Sequence, residues 1–137
     1  LFTAAATLSL GRGLQLLIDR GFGVIINIGS FIAIRPMDRA TAYATSKAAL
    51  ARFSDCLAAD LENTGVQVFC ISPGLVLTDM TRDLEFIKDI PKEHFHQPSD
   101  IADRVCRISV AASAVPSTKA GISITLTDCS GSSESGI

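Results

Sequence analysis

Short apolar runs alternating with helical stretches constrain this chain more than any other feature. Val24-Ile25-Ile26-Asn27-Ile28 and Val66-Gln67-Val68-Phe69-Cys70-Ile71 read as strands, the first as one buried on both faces. Ile122-Ser123-Ile124-Thr125-Leu126 alternates apolar and polar residues, which predicts a third. A helix over about 41–63 lies between the first two: Leu50, Phe53, Leu57 and Leu61 share one face, while Arg52, Asp55 and Glu62 lie elsewhere. An earlier helix runs to Ile18 and is closed by Gly21 and Gly23. A later one opens at Pro98-Ser99-Asp100, with Ser99 as the expected N-cap, and continues to about Ala112. Helix, strand, helix, strand, helix, strand with short links means βαβ units. The expected class is therefore α/β, a parallel sheet flanked by helices.

Ligands of such sheets collect at the carboxyl ends of the strands. Gly29-Ser30 stops the first strand and Ser72-Pro73-Gly74 the second. Tyr43, the only tyrosine of the chain, opens the helix that follows Ser30, and Lys47 stands one turn further along the same face. A free phenol is a poor base near neutral pH. An adjacent ammonium stabilises its phenolate and so improves proton transfer to and from an alcohol or carbonyl oxygen. Ser30 can hydrogen-bond the same oxygen. This suits carbonyl/alcohol interconversion, with a cofactor carrying the hydride because no side chain supplies one. Taken alone, Tyr43 and Lys47 also fit a solvated helix face, and Ser30 a simple turn. Their combination with the Pro73-Gly74 turn carries the reading.

Composition bounds the alternatives. The 137 residues suit one domain with a sizeable core. Hydrophobic residues make up 47% and mean hydropathy is +0.36, which points to surface covered by a partner or by further chain. No apolar run nears the ~20 residues of a membrane span, and no signal-peptide pattern is present. Net charge is −2 without a basic cluster, so a nucleic-acid partner is not expected. Cys56, Cys70, Cys106 and Cys129 form no CxxC pair and read as reduced thiols of a cytoplasmic protein. His94 and His96 flank Phe95 beside Glu93 without a third ligand in view, so no metal is expected. The segment 75–97 reads as irregular and partly helical, and 128–137 as a disordered Ser/Gly-rich tail. Leu1 is not a methionine and residues 1–20 read as a helix already under way, so the chain is expected to be the C-terminal part of something longer.

Three segments resemble the short-chain dehydrogenase/reductase family: Ile26-Asn27-Ile28-Gly29-Ser30, Tyr43-Ala44-Thr45-Ser46-Lys47-Ala48-Ala49-Leu50 and Ile71-Ser72-Pro73-Gly74-Leu75-Val76-Leu77-Thr78. Their order and separations match over roughly residues 1–127. The resemblance implies the C-terminal portion of a Rossmann-like doubly wound parallel sheet. It implies Tyr43 as general acid/base, Ser30 positioning the substrate oxygen, and Lys47 assisting the tyrosine and bonding the nicotinamide ribose. Pro73 and Gly74 would form the turn beside the nicotinamide of NAD or NADP, with Val76 and Thr78 holding its carboxamide. Residues 75–97 would be a substrate lid. Phe31, Ile34, Met37, Leu75, Leu77, Leu84 and Phe86 fit the lining of an apolar substrate pocket, and lid or core packing accounts for them equally well. The helices at 1–20 and 41–63 would build a homodimer or homotetramer.

The departures matter as well. The family's glycine-rich turn, its N-A-G segment and the residue that selects NAD or NADP do not occur in residues 1–137, so weak dinucleotide binding is expected of this chain alone. The family's catalytic asparagine is not seen either; a gapless alignment backward from Ser30 puts Phe2 near its place, a one-residue shift puts that place just before Leu1, and Asn27 belongs to the strand. The leading expectation is an NAD(P)-dependent oxidoreductase acting on a secondary alcohol or ketone. The alternatives are a truncated or degenerate relative serving as a non-enzymatic interaction module, and an isomerase or epimerase using the same triad.

Overall fold

A computed structural model describes residues 11, 13–79, 81 and 88–114. A helical stretch, α1 (13–20), leads through Gly21 into strand β1 (Gly23–Ile28). Helix α2 (Thr41–Asp60) then connects β1 to β2 (Val66–Ile71). The two strands pair in parallel, from Gly23 opposite Val66 to Ile28 opposite Ile71. The expected α/β arrangement is therefore present: parallel strands flanked by helices.

Side-chain alternation sorts the sheet faces. Ile25, Val66 and Val68 meet Leu57, Ala58 and Leu61 in the core, and Leu14, Leu17, Ile18 and Phe53 pack around them. Phe53, Leu57 and Leu61 belong to the stripe read from the sequence, whereas Leu50 is half-buried and outside this cluster; each such side chain stabilises the fold by roughly 1.5–3 kcal/mol when fully buried. Gln67 alternates to the opposite face, where its Nε2 donates to the Ala112 carbonyl of α3 (Pro98–Ala114) at 3.0 Å. Helices thus cover both faces, which explains why β2 is apolar almost throughout. β1 is less enclosed than its composition predicts: Val24 and Ile26 are half-buried and Ile28 is exposed. Among the described residues β2 is its one neighbour, so the other edge is not covered by a strand.

Three boundaries differ from expectation. First, α2 ends at Asp60, not near Asn63, because the chain turns through Asn63 and Gly65, both at positive φ. The Thr64 hydroxyl secures that turn, donating to the Leu61 carbonyl and accepting from the Val66 N–H. Second, Ser99 is not the N-cap of α3. The helix begins at Pro98, where a missing N–H is harmless, and the Asp100 carboxylate accepts from the Gln97 N–H at 2.7 Å. Third, the segment expected to be irregular holds two short parallel strands, β3 (Leu75–Val76) and β4 (Phe95–His96), in register Leu75 with Phe95 and Val76 with His96.

The expected third strand at 122–126, the tail, Cys129, Phe2, Leu84 and Phe86 lie outside the described residues. No helix among the described residues is long and apolar enough to cross a membrane.

Candidate active site

Ser30 leaves β1 with extended backbone and caps a 3-10 turn over Phe31–Ala33; its Oγ accepts from the Ile32 N–H at 3.5 Å. That turn packs on the first part of α2. Between them lies an open cleft of about 340 Å³ lined by Ile32, Ile34, Pro36, Ala44, Thr45 and Ala48. Phe31, Ile34 and Met37 are exposed around this region, as is Leu77 beyond β3. Arg35 places its guanidinium 5.0 Å from the centre of the Phe31 ring.

Tyr43 sits in the first turn of α2 and is 47% exposed, accessible to a small molecule. Lys47 reaches back from the next turn: its Nζ donates to the Ile28 carbonyl at 2.8 Å and lies 5.7 Å from the centre of the Tyr43 ring. The ammonium is thus anchored to the end of β1 and faces the phenol at once. Ser46 donates to the Tyr43 carbonyl at 2.8 Å within the helix.

Behind these groups is a polar cluster that the motifs alone did not reveal. Asn27 Nδ2 donates to Ser54 Oγ at 2.9 Å, and Ser54 donates its proton to the Leu50 carbonyl at 2.8 Å. Cys70, opposite Asn27 in the sheet register, turns its thiol to the same face, beside Ser54. The signal was a serine among the apolar positions of α2 and an asparagine within a β-branched strand. Burial pushes the Cys70 thiol above its ordinary value, with the Ser54 contact acting the other way. Thiolates, not thiols, react with alkylating agents. Iodoacetamide at mildly alkaline pH is therefore expected to label the exposed Cys56 and Cys106 well before Cys70, as read by peptide mass mapping.

Past β2, buried Ser72 precedes Pro73 and Gly74, the latter at φ +75. The positive φ favours glycine there, and the His96 ring lies close by in β4. Thr81, which was not anticipated, ties the next segment together. Its hydroxyl donates to the Val76 carbonyl at 2.7 Å and accepts from the Thr78 N–H at 2.8 Å. Thr78 and Thr81 stand three residues apart, a spacing at which such hydroxyls often close turns. His94 lies in a 3-10 turn and His96 in β4; among the described residues no group of three His, Cys, Asp or Glu side chains could hold a metal.

Comparison with known proteins decides the family. Residues 4–86 match the family model described as short chain dehydrogenase. The chain belongs to the short-chain dehydrogenase family. It is 36% identical over 86 residues to a 3-oxoacyl-acyl-carrier-protein reductase of Chlamydia trachomatis, a match covering 58% of this chain and 35% of that one. A solved short chain dehydrogenase/reductase family protein superposes with a TM-score of 0.73 at 25% identity, over 88% of this chain and 50% of its own. A 7α-hydroxysteroid dehydrogenase solved with NADH and 7-oxoglycochenodeoxycholic acid gives 0.61 at 26% identity, over 77% and 48%. The chain thus spans about a third of that curated relative and half of these structures. Its parallel strands and flanking helices match the Rossmann-like fold of the family's oxidoreductases.

Proposed function

We propose that this chain carries the substrate-side half of a nicotinamide-dependent oxidoreductase that interconverts a secondary alcohol and a ketone. The observation that carries the reading is Lys47, fixed on the Ile28 carbonyl at 2.8 Å with its ammonium over the Tyr43 ring. A lysine so held cannot wander into solvent, and it presents positive charge where a phenolate forms.

The residues present suit the nicotinamide end of NAD or NADP. An ammonium has three donors, and Lys47 gives one to Ile28, leaving others for ribose hydroxyls. Gly74 brings backbone without a side chain to the turn, and the Val76 carbonyl and the Thr78 hydroxyl, both also engaged with Thr81, keep spare acceptor lone pairs for a carboxamide. When bound, the cofactor supplies the hydride that no side chain can.

The chain's own groups manage the proton and the substrate oxygen. In reduction, the Tyr43 hydroxyl gives its proton to the carbonyl oxygen as negative charge develops there, and the Lys47 ammonium stabilises the phenolate left behind. In oxidation the phenolate takes the alcohol proton. Ser30 donates to the same oxygen and fixes its direction toward Tyr43, which requires the weak 3.5 Å bond from Ile32 only as an acceptor. The exposed apolar side chains Phe31, Ile34, Met37 and Leu77 favour an apolar substrate.

The test is oxidation of NADH and NADPH, followed by nicotinamide absorbance, against 3-oxoacyl thioesters, oxosteroids, sugars and small ketones. The protein assayed is one in which this segment is joined to a dinucleotide-binding half. Lys47→Met is expected to reduce turnover by about a hundredfold or more, within the usual range for disabling acid–base catalysis. Full turnover in Lys47→Met would reject the assignment.

A further inference from the structure

Helix α2 is tied to the end of β1 by two polar clasps seven residues apart on the same side of the helix. One is Lys47 on the Ile28 carbonyl, in a partly exposed position. The other is Ser54 on Asn27, the residue just before Ile28 in the strand. Ser54 is 3% exposed, so its hydrogen bonds meet little competition from water.

The buried clasp is also wired to Ser30. Asn27 and Cys70 are register partners in parallel strands and so point to the same face, toward Ser54. A Cβ added at Gly29 would come within 2.9 Å of Cys70 Sγ and 3.3 Å of the Ile71 carbonyl oxygen. Gly29 is therefore seated directly against the thiol, and the next residue is Ser30. Ser54 has one proton, committed to the Leu50 carbonyl, and its oxygen accepts from the Asn27 amide. No buried side-chain nitrogen or oxygen among the described residues lacks a partner.

Stability alone does not call for this arrangement. Apolar side chains of similar volume often stabilise a core at least as well as a polar cluster. What apolar packing lacks is direction, because its contacts survive a small slide or rotation of a helix over a sheet. A hydrogen-bonded set survives only at one setting.

We propose that Asn27, Ser54 and Cys70 form a positioning knot that sets the placement of α2 on the sheet, holding Lys47 and Tyr43 in place and seating Ser30 through Gly29. The proposal rests on the acid–base reading of Tyr43 for its importance in turnover, but its geometric content stands apart from that reading. None of the three residues touches substrate or cofactor; each acts through the residues it holds.

Two readouts separate the claims. With a single tyrosine in the chain, selective labelling gives one set of ring resonances, and the cross-relaxation between the Tyr43 ring and the Lys47 ε-protons reports their placement. Ser54→Ala and Asn27→Leu are expected to weaken that cross-peak severalfold and shift the Ile28 carbonyl resonance. Ser54→Thr, which keeps the hydroxyl, should restore both. Leu57→Ala, a truncation on the same helix without a polar contact, should lower Tm yet leave the cross-peak in place. If Asn27→Leu does not fold, Ser54→Ala removes a single atom and carries the comparison.

An unchanged cross-peak in Ser54→Ala, or equal loss in Leu57→Ala, overturns the proposal and makes the cluster ordinary core. In the joined enzyme, Ser54→Ala should lower kcat up to about a hundredfold with KM held, as expected of misplaced reacting groups, and Ser54→Thr should recover it. Failure of the Tyr43 reading would look different: the cross-peak would still respond in Ser54→Ala, while Tyr43→Phe kept its turnover.

Discussion

Replacing Tyr43 with phenylalanine is expected to lower turnover by about 10²–10⁴-fold, the range typical of a lost general acid–base group. The substitution deletes one hydroxyl from a side chain that is 47% exposed, so the cost to folding should stay within about 0.5 kcal/mol. The ring remains beneath the Lys47 ammonium, and the bond from Lys47 to Ile28 does not involve the hydroxyl. Affinity for the cofactor should therefore change little while kcat collapses. The decisive comparison is kcat against KM for the ketone, alongside a thermal melt of each variant. A Tyr43→Phe enzyme with ordinary kcat would remove the proposed chemistry and leave the fold assignment untouched.

The second large effect concerns folding. Gly65→Ala should destabilise the chain by at least about 2 kcal/mol, since a left-handed backbone alone costs a non-glycine residue ~1–2 kcal/mol. Gly65 has φ +83, and an added methyl would collide with the Gly21 carbonyl of the turn that feeds β1. Backbone cannot step aside as a long side chain can. Gly21 supplies the control: its φ is +69, but nothing lies within 4 Å of an added Cβ. Gly21→Ala should cost only the conformational part, about 1–2 kcal/mol. The difference between the two denaturation midpoints isolates the collision. Equal losses at both positions would mean that the turns open freely and that the α1–β1 and α2–β2 corners are not packed together.

Much of the frame was legible because it rests on local patterns. Leu57 and Leu61 announced the buried side of α2, and Val66 and Val68 announced the sheet face they meet. The order of Ser30, Tyr43, Lys47 and Pro73-Gly74 located the candidate site, because strand ends and helix starts are where an α/β sheet exposes its functional groups. What escaped was settled by tertiary pairing. β3 and β4 have two residues each, too few for any period to register, and their pairing joins chain about twenty residues apart. The cap of α3 was missed by two positions because Asp100 reaching back to Gln97 outweighed the capping preference of Ser99. Ser54 and Asn27 each read as an isolated polar residue, since nothing in their separation of 27 positions predicts a hydrogen bond. Thr81 was overlooked for a related reason: its hydroxyl serves backbone groups of Val76 and Thr78, not a recognisable motif.

The pairing of Asn27 with Cys70 has a consequence for how the two strands find one another. Side chains alternate along a strand, so a slip of one residue moves the whole set to the other side. In such a mispaired chain, Asn27 would turn toward α3 and Ile28 would take its place beneath α2. The apolar residues of β1 are similar enough that they would scarcely register the error. The amide would, because a buried group left without its partner costs about 1–3 kcal/mol. One asparagine in a strand of interchangeable hydrophobes thus acts as an alignment mark, making the mispaired sheet short-lived before any ligand has been met.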